Sequence, residues 1–84
     1  MLNARSAWHV RTWDDGAVAW NAVSGDTHAI DPLTAEVLTA SRLQGVSDVL
    51  LPEHLAQRLA LPLDETLQHA ILGALDRIRQ LEAP

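Results

Sequence analysis

Trp8-His9-Val10-Arg11-Thr12-Trp13-Asp14-Asp15-Gly16-Ala17-Val18-Ala19-Trp20-Asn21-Ala22-Val23-Ser24-Gly25-Asp26-Thr27-His28-Ala29-Ile30, followed by Asp31-Pro32, decides the fold. Residues 8–13 alternate aromatic or branched side chains with polar ones, the period of a half-buried strand. Asp14-Asp15-Gly16 reads as a turn, residues 17–23 as a second strand, Ser24-Gly25-Asp26 as a second turn, and residues 27–30 as a short third strand. Turns this short cannot carry a parallel crossover, so the three strands form an antiparallel meander. At Asp31-Pro32 the pattern changes. Asp is a favoured N-cap and Pro a favoured first helical residue, so a helix starts here.

From that boundary onward the apolar spacing is helical. Leu33, Val37 and Leu38 share one face of a first helix that runs to about Gln44 and ends at Gly45. Ser47 and Asp48 are placed to cap a short turn. Pro52 opens a second helix, about 52–60, with Leu55 and Leu59 four residues apart, and Pro62 stops it. Asp64 caps a third helix whose stripe is Leu67, Ile71, Leu75 and Ile78, flanked by Leu63 and Leu81. Asp76, Arg77, Arg79 and Gln80 supply its polar surface. The order β-β-β-α-α-α predicts an α+β domain of winged helix-turn-helix-like form, with the meander N-terminal to the helices. No linker, repeat or low-complexity segment divides residues 1–84, so one domain is expected.

Composition narrows the function. A chain of 84 residues buries roughly 60% of its unfolded surface, which favours a shallow groove or a sheet edge over a deep cleft. There is no cysteine, hence no disulfide and no thiolate metal site. No apolar run reaches the roughly 18 residues a membrane helix needs. Met1-Leu2-Asn3-Ala4-Arg5-Ser6 lacks the apolar core of a signal peptide, and a cytoplasmic protein is expected. The net charge is −5, Lys is absent, and the six arginines at 5, 11, 42, 58, 77 and 79 form no basic stripe. Phosphate binding depends on clustered cations, so a nucleic-acid partner is not expected.

The stretch Trp13-Asp14-Asp15-Gly16, Val18, Trp20-Asn21, Ser24-Gly25-Asp26-Thr27-His28, Ile30-Asp31 and Ala35-Glu36-Val37-Leu38 resembles the PqqD-like family. It is most similar to the PqqD-type peptide chaperones found alongside an HPr-kinase-related protein. The resemblance spans the order of elements over the whole chain, while the specific letters fall within residues 13–38. It implies a RiPP recognition element, the domain used in making ribosomally synthesised, post-translationally modified peptides. In such a domain a precursor's leader peptide adds as a strand to the third strand and rests on the third helix. Another enzyme then modifies the peptide, and the resemblance implies an HPr-kinase-related protein as a candidate for it. The tail Leu81-Glu82-Ala83-Pro84 departs from the glycine and apolar residues that end many relatives.

The residues fit such a site. An edge strand offers unpaired N–H and C=O groups that an extended peptide can satisfy. Thr27, His28, Ala29 and Ile30 contain no Pro, so each amide is expected to be able to donate. Leu67, Ala70, Ile71, Ala74, Leu75 and Ile78 form an apolar face wider than a single core contact needs, and Leu72 adds another apolar position. These ten residues are the candidate peptide-binding set.

Other constellations carry less. His9, His28, His54 and His69 include no pair at metal-ligand helical spacing, so no metal or other cofactor is expected; His28 alone lies within the candidate site. Asp14, Asp15, Asp26 and Asp31 read as turn and cap residues before they read as acid–base pairs. Ser24 has no nucleophile elbow around it. Trp8, Trp13 and Trp20 read as core or sheet-face packing, with an exposed one able to anchor an interface. No nucleophile–base pair or phosphate loop marks an enzyme. The alternatives are a winged-helix DNA-binding regulator, against which charge and Asp64-Glu65 at the start of the third helix argue, and a docking subunit of a kinase-like or transferase partner. A free sheet edge would also allow a homodimer.

Overall fold

A computed structural model describes residues 7–82. Met1–Ser6, with Arg5, and the tail residues Ala83 and Pro84 lie outside the described residues. Strands β1 (Trp8–Trp13), β2 (Gly16–Asn21) and β3 (Thr27–Ile30) form one antiparallel sheet in the order β1-β2-β3. The helices follow as α1 (Pro32–Leu38), α2 (Leu51–Leu59) and α3 (Glu65–Glu82). The expected α+β order of three strands and three helices is the observed one. No helix among the described residues is long and apolar enough to cross a membrane.

The hairpins differ from their sequence signals in detail. Trp13 pairs with Gly16, so Asp14 and Asp15 alone make the first turn and Gly16 begins β2. A side chain there would meet the Trp13 indole at 3.3 Å, which explains the glycine: the ring covers the bare backbone. β2 ends at Asn21, two residues earlier than the apolar pattern suggests. The Asn21 side-chain oxygen accepts from the amides of Val23 and Ser24 at 2.9 and 3.2 Å. This local side-chain turn takes the chain off the ladder. Gly25 then adopts φ +81°, a conformation that suits glycine.

α1 begins as the sequence indicates. Asp31 is its N-cap, accepting from the Thr34 amide at 3.2 Å, with Pro32 in the first turn. Past Leu38 the helix widens into a π-helical turn over Thr39–Leu43, closed by the Gln44 amide donating to Thr39 O at 3.0 Å. Gly45, at φ +75°, ends it. The expected caps at Ser47 and Asp48 are not made by their side chains. The Ser47 carbonyl instead accepts from Leu50 and Leu51, and Asp48 pairs with Arg79 at 3.1 Å. α3 is capped by Asp64, which accepts from the Leu67 amide at 2.9 Å.

α1 is the middle layer. It packs on β1 and β2 on one side and on α3 on the other, and α2 closes against α3 and α1. Accordingly Thr34, Ala35, Val37 and Leu38 are all buried. Trp8, Ala17, Ala19 and Ile30 from the sheet join Leu51, Leu55, Leu67, Ile71, Leu75 and Ile78 from the helices in one core. A polar clasp closes the far end. Glu82 accepts from the Trp8 indole N–H at 2.9 Å and from Arg42 through two bonds at 2.9 and 3.1 Å. It ties the last turn of α3 to β1 and to the π turn.

The Arg42 hydrogen bonds hold the Glu82 carboxyl below its ordinary value near 4.5, with the Trp8 bond helping and partial burial opposing. A carboxylate whose pKa is lowered on folding contributes stability above its unfolded value and loses it as pH falls through the folded one. Glu82→Gln is therefore expected to cost about 1 kcal/mol or less at neutral pH, the range of a partly exposed ion pair. The gap from the parent protein should close as unfolding midpoints are measured from pH 6 downward past 4.5.

α2 ends in a left-handed residue that is not glycine: Ala60 has φ +55°, and Leu61 N–H bonds back to Ala56 O at 2.9 Å. The Cβ of an alanine is disfavoured there by roughly 1–2 kcal/mol. Because glycine also loses more chain entropy on folding, Ala60→Gly should raise stability by a net of about 0.5–1 kcal/mol in chemical denaturation.

Candidate peptide-binding edge

The β2–β3 ladder fixes which groups of β3 are free. The Asn21 amide donates to Asp26 O at 3.0 Å, so these residues form a hydrogen-bonded pair. Such pairs recur every second residue in an antiparallel ladder. Ala19 with His28 and Ala17 with Ile30 are therefore bonded pairs, while Trp20 with Thr27 and Val18 with Ala29 are not. His28 and Ile30 spend their N–H and C=O groups on β2. Thr27 and Ala29 turn theirs outward. The expectation that every amide of residues 27–30 can donate is thus halved, because each strand residue directs both backbone groups to one side.

The side chains follow the opposite rule. His28 and Ile30 point to the helix layer and Thr27 and Ala29 to the outer face. Ile30 is buried and Thr27 and Ala29 are exposed. His28 is half-buried. Its ring lies 6.4 Å from that of Trp8, and its Nε2 is buried without a hydrogen-bond partner.

α3 packs chiefly on α1 and makes little direct contact with β3. Arg77 bridges the gap, its Nη2 donating to Ala29 O at 3.1 Å. That bond independently confirms that the Ala29 carbonyl faces outward. Thr66, Ala70, Gly73 and Arg77 recur at helical spacing on the same face, and all four are exposed. Space over Gly73 is open: an added Cβ would have no heavy atom within 4 Å. The stripe leads to a cleft of about 300 Å³ lined by Leu61, Pro62, Asp64, Thr66, Leu67 and Ala70.

The candidate residues of α3 divide sharply. Leu67, Ile71, Ala74, Leu75 and Ile78 are buried in the core, and Ala70 alone is exposed. The width of the apolar face reflects two partners, α1 and α2, rather than surface kept for a ligand. Gly73, Thr66 and Arg77 were missed, since neither small residues nor a single arginine stands out in an apolar pattern. The i, i+4, i+7, i+11 spacing from Thr66 to Arg77 was the available signal. Leu72 is 60% exposed on another face of α3.

The outer face of the sheet is a second exposed surface. His9 stacks on Trp20 with ring centroids 5.3 Å apart and planes 13° from parallel. Trp20 is 37% and Trp13 52% exposed, whereas Trp8 is in the core. Among the described residues, no three His, Asp or Glu side chains come close enough to hold a metal ion. Compared with protein-family models, curated proteins and solved structures, the chain matches none.

The ladder phase makes a direct prediction. In hydrogen exchange, the His28 and Ile30 amides should be protected and the Thr27 and Ala29 amides should exchange at least about ten times faster. Uniform protection across residues 27–30 would contradict the assigned phase.

Proposed function

We propose that this domain is a non-catalytic peptide-binding adaptor. An extended peptide pairs with Thr27 and Ala29 on β3, lies over the open stripe of α3, and is presented to a separate modifying enzyme. One observation carries this: a free, proline-free edge with two outward residues borders a helix face of small, exposed residues. Backbone pairing gives affinity with little demand on sequence, and the cleft beside Leu61 and Ala70 can take an apolar side chain. The resemblance to PqqD-like proteins supports the leader of a ribosomally made precursor as the peptide, an HPr-kinase-related protein as the enzyme, and the cytoplasm as the place of action. With most of the α3 stripe buried in the core, the contact proposed for α3 is with Ala70 and its exposed neighbours.

A docking role on the partner enzyme is favoured by a different observation, the exposed Trp13 and Trp20 on the outer sheet face. Tryptophan is enriched among residues that dominate interface energy. The two surfaces are compatible, one for peptide and one for enzyme.

Titration of ¹⁵N-labelled protein with synthetic leader peptides from small open reading frames beside its gene should give saturable shifts at Thr27, Ala29, Ala70 and Gly73. Ala29→Pro deletes one outward N–H without touching the β2 ladder, and should weaken binding about ten-fold, the worth of one hydrogen bond. Saturable shifts confined to Trp13, Trp20 and their neighbours would assign the peptide to the outer face instead. No shift with any leader would favour docking alone.

A further inference from the structure

Five arginines are described, and three are matched to carboxylates: Arg42 to Glu82, Arg58 to Glu36 and Arg79 to Asp48, at 2.8–3.1 Å. Arg77 is not. Its hydrogen bond goes to a neutral carbonyl, Ala29 O, on the free edge of β3. Its sequence neighbour Asp76 is engaged by the Gln80 side chain at 3.0 Å. A guanidinium has five N–H donors in a rigid fork suited to two carboxylate oxygens, and one of the five is used on Ala29. An exposed cation with no carboxylate partner among the described residues is thus held over the groups an incoming strand must pair with.

We propose that Arg77 is a specificity-determining residue that selects peptides carrying an acidic side chain beside Ala29. The inference rests on strand addition at β3. Without peptide, Arg77 covers the Ala29 carbonyl and blunts the edge, much as charged residues guard exposed strands elsewhere. When a strand adds, its backbone N–H takes the Ala29 carbonyl. The peptide residue opposite Ala29 shares its outer face, so the guanidinium then lies against the next peptide residue, which points toward α3. Asp or Glu there receives the fork through charge-assisted hydrogen bonds. Lys or Arg there meets a like charge, which costs binding and gives the discrimination its sign. The rest of the exposed stripe, Thr66, Ala70 and Gly73, carries no charge, so the selection is confined to one peptide position.

The test uses a random twelve-residue peptide library displayed on phage and selected on the parent protein, on Arg77→Gln and on Arg77→Glu. Circular dichroism checks that each variant is folded; Arg77 is exposed and outside the core. Peptides selected on the parent should be enriched in Asp or Glu at one position, those on Arg77→Glu in Lys or Arg at the same position, and those on Arg77→Gln in neither. For a selected peptide, replacing that Glu by Gln should weaken binding to the parent about two- to five-fold, the range of an exposed ion pair, and leave binding to Arg77→Gln unchanged. Selected peptides that shift Thr27 and Ala29 but show no charge preference would overturn the role of Arg77 and leave strand addition standing. If folded parent protein selects no peptide, or only peptides that leave Thr27 and Ala29 unshifted, strand addition falls and this inference with it.

Discussion

The burial of α1 between the sheet and α3 is the constraint on which the rest of the structure depends. A helix of seven residues has little stability of its own, so it persists because both sides are covered. Val37 and Leu38 have no exposed surface. Truncating a side chain such as Leu38 removes transfer energy and leaves a cavity, together about 2–5 kcal/mol, a large part of the stability of so small a domain. The Asp31 cap and Pro32 set the point where the chain leaves β3 for this layer. β3 therefore lies at the sheet edge with α1 following it directly.

That layering also creates the candidate site. Because α3 packs on α1, it flanks the edge of β3 without closing over it, and a long arginine side chain spans the remaining distance. Contact at the last turn of α3 is firmer. There Glu82 gathers the Trp8 indole and the Arg42 guanidinium into one clasp, fixing the C-terminal turn of α3 against β1. α3 is thus anchored by its buried stripe and its last turn, while its Thr66-to-Arg77 face remains open. The edge is preorganised for the same reason: His28 and Ile30 are held by β2, so Thr27 and Ala29 are fixed in extended form before any partner arrives. Preorganisation reduces the ordering cost of binding, which matters for a surface that offers two residues.

Much of this was legible in the chain. The change of period at Asp31-Pro32, the two turns and the caps Asp31 and Asp64 each lie within a few residues of sequence, and each formed close to its expected place. The misses have a common origin. Gly16 read as a turn residue because Asp-Gly is a turn signal, but its small size serves the Trp13 ring packed over it. The expected Asp48 cap was lost to an ion pair with Arg79, 31 residues away. The α3 stripe read as partly available for ligand because periodicity reports how wide an apolar face is and not how many elements cover it.

The sequence by itself determined the strand and helix segments, their order, and an edge strand free of proline, because those follow from local dihedral preferences and side-chain period. Only the tertiary structure decided which two of the four β3 residues face outward, that five of the six chosen α3 residues are sealed in the core, and that Arg77 reaches Ala29 across 48 residues of chain. The physical reason is that ladder phase, burial and hydrogen-bond partnership are properties of pairs of elements. They are set when α1 brings the sheet and α3 together, and no single segment contains them.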